Sequence, residues 1–119
     1  MVLNTTDCPF TEPVASLLER PEEFLIFYSD IVDGQMWCPD CRAVDDQVRK
    51  TFIDTSVTAV IVYVGNKPDW KAPENVFRGE PFKITSIPTI VKMREGKEVG
   101  RLVEKEISSK LAEFVLSDS

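Results

Sequence analysis

The sequence predicts an α/β fold in which layers of helices pack on a β-sheet. Apolar runs that are typical of buried strands alternate with segments of helical periodicity, and 43% of the 119 residues are hydrophobic. A chain of this length can bury roughly two thirds of the surface that it exposes when unfolded. No internal repeat or linker interrupts the pattern, so we expect one domain over residues 1–119.

The N-terminal third is predicted to hold a short helix and a buried strand. Thr11 can cap the helix and Pro21 can end it. Its apolar side is expected to consist of Val14, Ala15, Leu17 and Leu18. Residues 24–29 are nearly all apolar, which is typical of a strand covered on both faces. A short strand also fits within the first few residues.

The middle of the chain predicts a longer helix followed by the clearest strand. The helix runs from Pro39 to about residue 53, because apolar residues recur there at every fourth position: Val44, Val48 and Phe52. On its outer face, acids precede bases by four residues: Asp45 before Arg49 and Asp46 before Lys50. Residues 58–64 are apolar and mostly β-branched, which predicts a strand.

The C-terminal half is predicted to end in a hairpin and a helix. Residues 65–83 contain three prolines and predict irregular structure, with a short helix near residues 74–78. Strands at residues 89–93 and 98–103 flank the turn Glu95-Gly96-Lys97. Ser108 or Ser109 is expected to cap the final helix. The inward side of this helix is predicted to consist of Leu111, Ala112, Val115 and Leu116.

The charge and the N-terminal sequence narrow the classes of partner and the compartment. A formal net charge of -6 disfavours nucleic acid and anionic membranes, so we expect neither as a partner. The sequence MVLNTTDCPF has neither the basic nor the apolar region of a secretory signal. We therefore expect a cytoplasmic protein, in which structural disulfides are uncommon. Three cysteines, two of them in a CxxC motif, then indicate redox chemistry or a metal site.

The CxxC motif has the local features of a reactive cysteine pair. With Pro39 at the first helical position, Cys38 lies at or beside the N-cap. Unpaired backbone N–H groups and the helix dipole there favour the thiolate. Cys41 follows one turn inside the helix on the same face. We therefore expect Cys38 to be the exposed nucleophile and Cys41 the resolving thiol.

Alternative uses of these cysteines are less well supported. A structural zinc site needs four ligands, and the chain has no histidine and only one further cysteine, Cys8. We therefore expect no bound metal. The lack of histidine also excludes Ser-His-Asp and Cys-His catalysis. Cys8 itself has two interpretations, a buried or incidental residue and a regulatory thiol.

The motif and its surroundings resemble the thioredoxin superfamily. In that superfamily a strand is followed by Trp-Cys-x-x-Cys at the start of a helix, as in Trp37 to Cys41, and an Ile-Pro-Thr sequence precedes a later strand, as in residues 87–89. The resemblance implies a thioredoxin fold with a central mixed β-sheet flanked by helices on both faces. It also implies a cis peptide bond before Pro88, across from the cysteine pair.

A more specific resemblance is to the thioredoxin domain-containing protein 17 family. It is carried by WCPDC, by VGNKPDWK at residues 64–71, and by the later Asn75, Phe77 and Arg78, and it covers nearly the whole chain. The resemblance implies a disulfide reductase in which the catalytic residues are Cys38 and Cys41. Residues expected to bind substrate or support the pair are Trp37, Pro39, Asp40, Ile87 and Pro88.

Membership of that family would also define the partners. It implies that electrons come from NADPH through thioredoxin reductase, with no cofactor bound to the chain itself. The expected substrates are disulfide-containing proteins and small disulfides such as cystine, with some peroxide reduction. We expect a monomer. The alternative function is a non-catalytic, redox-sensitive interaction module, and an oxidase or isomerase is disfavoured by the missing secretory signal.

Two features depart from ordinary thioredoxins. The strand before the motif lacks their buried aspartate, and residues 60–64 lack their lysine, so the proton acceptor for Cys41 is open; Asp40 is the nearest candidate. In addition, residues 65–83 are longer than thioredoxins need. We expect this segment, with Trp70 as an exposed aromatic, to border the active site and to restrict bulky substrates.

Overall fold

The structure is a computed structural model that describes residues 3–8 and 10–116. Its strands are β1 (Leu3–Thr5), β2 (Phe24–Tyr28), β3 (Ile31–Val32), β4 (Gln35–Met36), β5 (Ala59–Tyr63), β6 (Thr89–Arg94) and β7 (Lys97–Val103). Its α-helices are α1 (Pro39–Thr55), α2 (Lys67–Lys71) and α3 (Lys105–Leu116), and 3₁₀ helices occur at Val14–Glu19 and Val76–Arg78.

A five-stranded mixed sheet forms the centre of the molecule. Its strand order is β1-β5-β2-β6-β7, and β3 and β4 form a separate two-stranded ribbon. Strands β1 and β2 run parallel to β5, whereas β6 runs antiparallel to β2 and to β7. The predicted mixed sheet and the predicted C-terminal hairpin are therefore confirmed. Because β2 and β5 are parallel and joined through α1, their carboxyl ends lie beside the start of that helix.

Aromatic contacts show which elements cover each face of the sheet. Phe24 of β2 contacts Phe52 of α1 and Phe114 of α3, with ring centroids 5.2 and 5.7 Å apart. Phe27 of the same strand contacts Phe77 and Phe82 at 5.9 and 5.4 Å. Helices α1 and α3 thus cover one face, and the 3₁₀ helix around Phe77 with the following loop covers the other. None of the helices in residues 3–8 and 10–116 combines the length and apolar character that a membrane span requires.

The buried strands and the stripe of α1 are confirmed. All five residues of β2 and all five of β5 are buried. On α1 the predicted stripe of Val44, Val48 and Phe52 is buried, together with Cys41. The outer face carries the expected Arg49–Asp45 ion pair, with Nε 2.9 Å from Oδ2. The short N-terminal strand is present as β1.

The first helix differs from the prediction. It is a 3₁₀ helix that begins after Pro13, so the prediction that Thr11 caps it is wrong. Leu17 is buried, whereas Ala15 is exposed. A segment of six residues between two prolines is too short for a full amphipathic helix, and the tighter 3₁₀ turn is the form common in such short pieces.

The C-terminal helix begins earlier than predicted. It starts at Lys105, and the hydroxyls of Ser108 and Ser109 donate to the carbonyls of Lys105 and Glu106, three residues back. Both serines therefore lie inside the helix, and the prediction that one of them caps it is wrong. Their hydroxyls bond to helix carbonyls and not to the free N–H groups at its start. The Glu106 carboxylate instead accepts from the Val103 N–H at 2.9 Å. The buried side consists of Ile107, Leu111 and Val115, whereas Ala112 and Leu116 are exposed.

The segment after β5 is more ordered than the sequence predicts. Asn66 caps α2 by accepting from the Asp69 N–H at 3.0 Å. The sequence did not predict this helix, because the prolines of the segment indicated irregular structure. Trp70 is buried, with 4% of its surface exposed, so the prediction of an exposed aromatic is wrong. The Arg78 guanidinium lies 4.0 Å from the centre of the Trp70 ring, and its Nε donates to the Trp70 carbonyl. The predicted short helix near residues 74–78 is present as Val76–Arg78.

Candidate active site

The cysteine pair lies at the start of α1, as the sequence predicts. Cys38 is the N-cap with extended backbone, Pro39 is in the first turn, and the Cys38 Sγ accepts a hydrogen bond from the Cys41 N–H at 3.4 Å. The expectation that Cys38 is exposed is wrong: it is buried, with 6% of its surface accessible, against none for Cys41. Both cysteines are free thiols.

The two thiols have opposite pKa changes. The pKa of Cys38 is lowered to about 6, chiefly by the hydrogen bond from the Cys41 thiol and then by the backbone N–H groups of Cys41 and Asp40, although burial and the Asp40 charge oppose this. The pKa of Cys41 is raised because its thiol bonds to Cys38 and because it is buried. At neutral pH the pair is therefore one thiolate nucleophile beside one protonated thiol.

The other predicted site residues lie around the pair. Trp37 is half-buried, and its Nε1 donates to the Gly65 carbonyl at 2.9 Å. Pro39 and Asp40 are exposed beside Cys38. The Ile87 carbonyl oxygen lies 4.0 Å from the Cys38 Sγ. The peptide bond between Ile87 and Pro88 is cis, as predicted.

Two further residues support the site without having been predicted. The Ser29 Oγ accepts from the Cys38 N–H at 3.2 Å. Asp30 is buried, its carbonyl accepts from the Trp37 N–H, and its Oδ1 accepts from the Gly65 N–H at 2.9 Å. Burial raises the pKa of Asp30, and the Gly65 hydrogen bond opposes that rise. The sequence did contain a signal for both residues: Ser29 and Asp30 are polar and directly follow the buried strand β2, at the point where that strand ends beside the site.

Gly65 joins the segment after β5 to the active site. Its φ is +128°, a backbone conformation that side chains disfavour, and an added Cβ would lie 3.0 Å from the Asp69 Cβ. Its carbonyl accepts from both the Asp30 N–H and the Trp37 indole. The beginning of the segment is thus fixed against Trp37, the residue that precedes Cys38.

Cys8 lies outside the pair. It is exposed, so the interpretation as a buried residue is wrong. A hydrogen bond from its thiol opposes the rise that burial causes in the pKa of Asp30. No group of three or more histidine, cysteine or carboxylate side chains that could hold a metal comes together in the part of the chain that the structure describes.

Replacing Asp40 with asparagine is expected to lower the pKa of Cys38 below about 6, because the carboxylate opposes a second negative charge on the sulfur. The rate of Cys38 alkylation by iodoacetamide, measured against pH, should then inflect at a lower pH than in the native protein. Asp46→Asn, an exposed residue of the same helix, is the control. An inflection that stays in place or rises would show that Asp40 does not act on Cys38 by charge.

Comparison with known proteins identifies the chain's relatives. Residues 7–118 match the family model described as thioredoxin domain-containing protein 17-like, thioredoxin domain. The chain is 37% identical to thioredoxin domain-containing protein 17 of Mus musculus over 89 residues, which cover 72% of this chain and 69% of the relative. It is 31% identical to the thioredoxin-like protein Clot of Oryza sativa subsp. japonica, covering 74% and 70%.

Solved structures share the fold. Thioredoxin f2 of Chlamydomonas reinhardtii superposes with a TM-score of 0.63 at 19% identity, covering 94% of this chain and 93% of that one. Thioredoxin 2 of Pseudomonas aeruginosa PAO1 in its reduced form gives 0.58 at 24% identity, covering 92% and 90%. The predicted thioredoxin fold is therefore confirmed, with the cysteine pair where a thioredoxin-type redox centre is expected.

Proposed function

This chain belongs to the thioredoxin domain-containing protein 17-like family, and from that premise we propose that it reduces disulfides through Cys38 and Cys41. One observation carries the proposal: the pKa of Cys38 is lowered to about 6 at the N-cap, one helical turn from a thiol whose pKa is raised. A thiolate attacks disulfides, and a protonated neighbour does not compete with it for the substrate.

The reaction proceeds in two exchanges. The Cys38 thiolate attacks one sulfur of the substrate disulfide, forms a mixed disulfide and releases the first substrate thiolate. Cys41 then gives up its proton and attacks the Cys38 Sγ, which releases the second substrate thiolate. The cysteine pair loses two electrons, and the substrate disulfide gains them. The two substrate thiolates take up protons from water.

Family membership supports the remaining parts of the proposal. Electrons return from NADPH through thioredoxin reductase, so the chain needs no cofactor of its own. The substrates are disulfide-containing proteins and small disulfides such as cystine, with peroxides as a lesser class, and the protein acts as a cytoplasmic monomer. We expect the segment of residues 65–83, whose first residue accepts a hydrogen bond from the Trp37 indole, to make small or flexible disulfides the better substrates.

The test is NADPH consumption in the presence of thioredoxin reductase, with cystine compared with a bulky protein disulfide. We expect catalytic consumption with both substrates and a higher rate with cystine. Consumption no faster than that of the reductase alone would contradict the proposal. That result would leave the non-catalytic interaction module as the function, because a module binds partners without turnover.

A further inference from the structure

A small cavity lies between the starts of helices α1 and α3. Its volume is about 180 Å³. Sites for drug-sized ligands usually measure about 300–1,000 Å³, so this cavity fits only a small chemical group. Its lining comes from both helices and from the turn before α3: Asp40, Ala43, Val44, Glu104, Lys105 and Ser108.

Backbone contacts place this cavity beside the cysteine pair. On one side, Asp40 follows Cys38 by two residues in the first turn of α1. On the other side, the Glu104 N–H donates to the Pro88 carbonyl at 2.8 Å. The residue before that proline, Ile87, has its carbonyl oxygen 4.0 Å from the Cys38 Sγ. The cavity therefore lies between two elements that both adjoin the nucleophile.

The cavity carries charged groups of both signs that do not pair with one another. Asp40 and Glu104 supply carboxylates, and Lys105 supplies an ammonium group. Within residues 3–8 and 10–116, none of these three charged groups takes part in an ion pair or a side-chain hydrogen bond. A ligand can pair with them without breaking an existing contact. A ligand that carries one positive and one negative group can pair with both kinds at once.

The backbone of Glu104 also indicates that its side chain is used. Its φ is +51°, in the left-handed region that glycine adopts at the lowest cost. Its N–H and its carbonyl are both bonded, to the Pro88 carbonyl and to the Ile107 N–H, so this conformation is held in place. Residues held in strained conformations cluster at binding and catalytic sites. A carboxylate is thus kept beside the active site at a position where glycine would cost less.

A free amino-acid disulfide brings both charges close to the reacting sulfur. The two Cα atoms joined by a disulfide lie about 4.4–6.8 Å apart, a span comparable with one helical turn of about 5.4 Å. In the mixed disulfide, the Cα of the bound half-molecule must therefore lie about one turn from the Cα of Cys38. In a free amino acid that carbon bears the α-ammonium and the α-carboxylate. In a protein disulfide the same groups are uncharged peptide bonds.

We propose that this cavity is a subsite for the zwitterionic end of free amino-acid disulfides, in which Glu104 binds the α-ammonium and Lys105 binds the α-carboxylate. The proposal rests on the proposed function and deepens it, because it assigns two residues to substrate specificity. Asp40 adds a second carboxylate on the α1 side of the cavity. Cys38 forms the mixed disulfide as one amino-acid thiolate leaves. The bound half-molecule stays in the subsite until Cys41 displaces it as the second thiolate.

Four small disulfides with the same two-carbon arms but different charges test the subsite. Cystine carries both groups, cystamine only the ammonium, dithiodipropionate only the carboxylate, and bis(hydroxyethyl) disulfide neither. The measured quantity is the second-order rate constant for oxidation of the reduced protein, followed by the loss of thiols that iodoacetamide can alkylate. Each constant is divided by that for the neutral disulfide, which removes any change in the reactivity of Cys38 itself.

Glu104→Gln is expected to lower this ratio for cystine and cystamine but not for dithiodipropionate. Lys105→Met is expected to lower it for cystine and dithiodipropionate but not for cystamine. Each decrease should be about two- to fivefold, the range of ion pairs near the surface. The controls are Glu113→Gln and Lys110→Met, which make the same charge changes at exposed positions of α3 outside the cavity. Cystine has no net charge, so a decrease in both cavity variants and in neither control separates binding in the subsite from long-range attraction.

A cystine ratio that both cavity variants leave unchanged would overturn the subsite while disulfide reduction stands. So would a decrease of the same size in the control variants. If the native protein is oxidised by none of the four disulfides, the proposed function itself fails, and the subsite fails with it. Melting temperatures by circular dichroism verify the fold of each variant. Should one cavity variant fail to fold, the other decides alone, because each addresses a different charged group of the substrate.

Discussion

Cys38→Ser is expected to abolish disulfide reduction, and Cys41→Ser to leave the protein covalently joined to its substrate. The N-cap position and the pKa of about 6 give Cys38 the attacking thiolate, and a serine hydroxyl at the same position stays protonated. Without the Cys41 thiol, the mixed disulfide on Cys38 has no internal group to displace the substrate. The two variants therefore fail at different steps.

Both outcomes can be read directly. Mixed disulfides of Cys41→Ser should appear as adducts on a non-reducing gel and disappear with dithiothreitol, whereas Cys38→Ser should form none. Cys8→Ser, a change of the exposed third cysteine, is the matched control and should retain turnover. Normal turnover by Cys41→Ser with a protein disulfide would show that Cys41 is not the resolving thiol.

Trp70→Ala is expected to lower the free energy of unfolding by about 3–5 kcal/mol, the usual cost of truncating a large buried aromatic side chain. The change leaves a cavity where 96% of the Trp70 surface is now covered, and it removes the ring over which the Arg78 guanidinium lies at 4.0 Å. Because Trp70 fixes the segment that begins at Gly65, disulfide reduction should also weaken.

Urea denaturation followed by circular dichroism measures the change in stability. Lys71→Ala is the matched control, because Lys71 is the exposed neighbour of Trp70 on the same short helix. Its effect should remain within about 0.5 kcal/mol, as is usual for surface substitutions. A comparably small effect of Trp70→Ala would mean that the segment packs on the sheet through Phe77 and Phe82 without help from Trp70.

Much of the fold could be predicted because local sequence patterns show which residues are buried. A continuous apolar run such as that of β2 or β5 is typical of a strand covered on both faces of a sheet. Both strands are indeed fully buried. The repeat of Val44, Val48 and Phe52 likewise selects one face of α1. The N-cap position of Cys38 followed from Pro39 alone, since proline favours the first helical turn.

The features that were missed depend on contacts between distant residues. Trp70 belongs to the hydrophobic core and has the Arg78 guanidinium over its ring, and no local sequence pattern distinguishes such a residue from an exposed aromatic. The supporting contacts of Ser29, Asp30 and Gly65 likewise require the ends of β2 and β5 to meet, which only the folded sheet brings about. The start of α3 was predicted too late because Ser108 and Ser109 bond back to carbonyls within the helix, and the sequence does not distinguish such serines from caps.

The opposite pKa changes in the cysteine pair also fix how many protons accompany each pair of electrons. Between about pH 6 and the raised pKa of Cys41, the reduced pair holds one proton, so reduction of its disulfide takes up two electrons and one proton. The midpoint potential then falls by about 30 mV per pH unit, half the slope of a simple dithiol, because 30 mV is a tenfold change in equilibrium constant for a two-electron couple. As the pH rises, the protein therefore becomes a weaker reductant relative to small dithiols that still bind both protons.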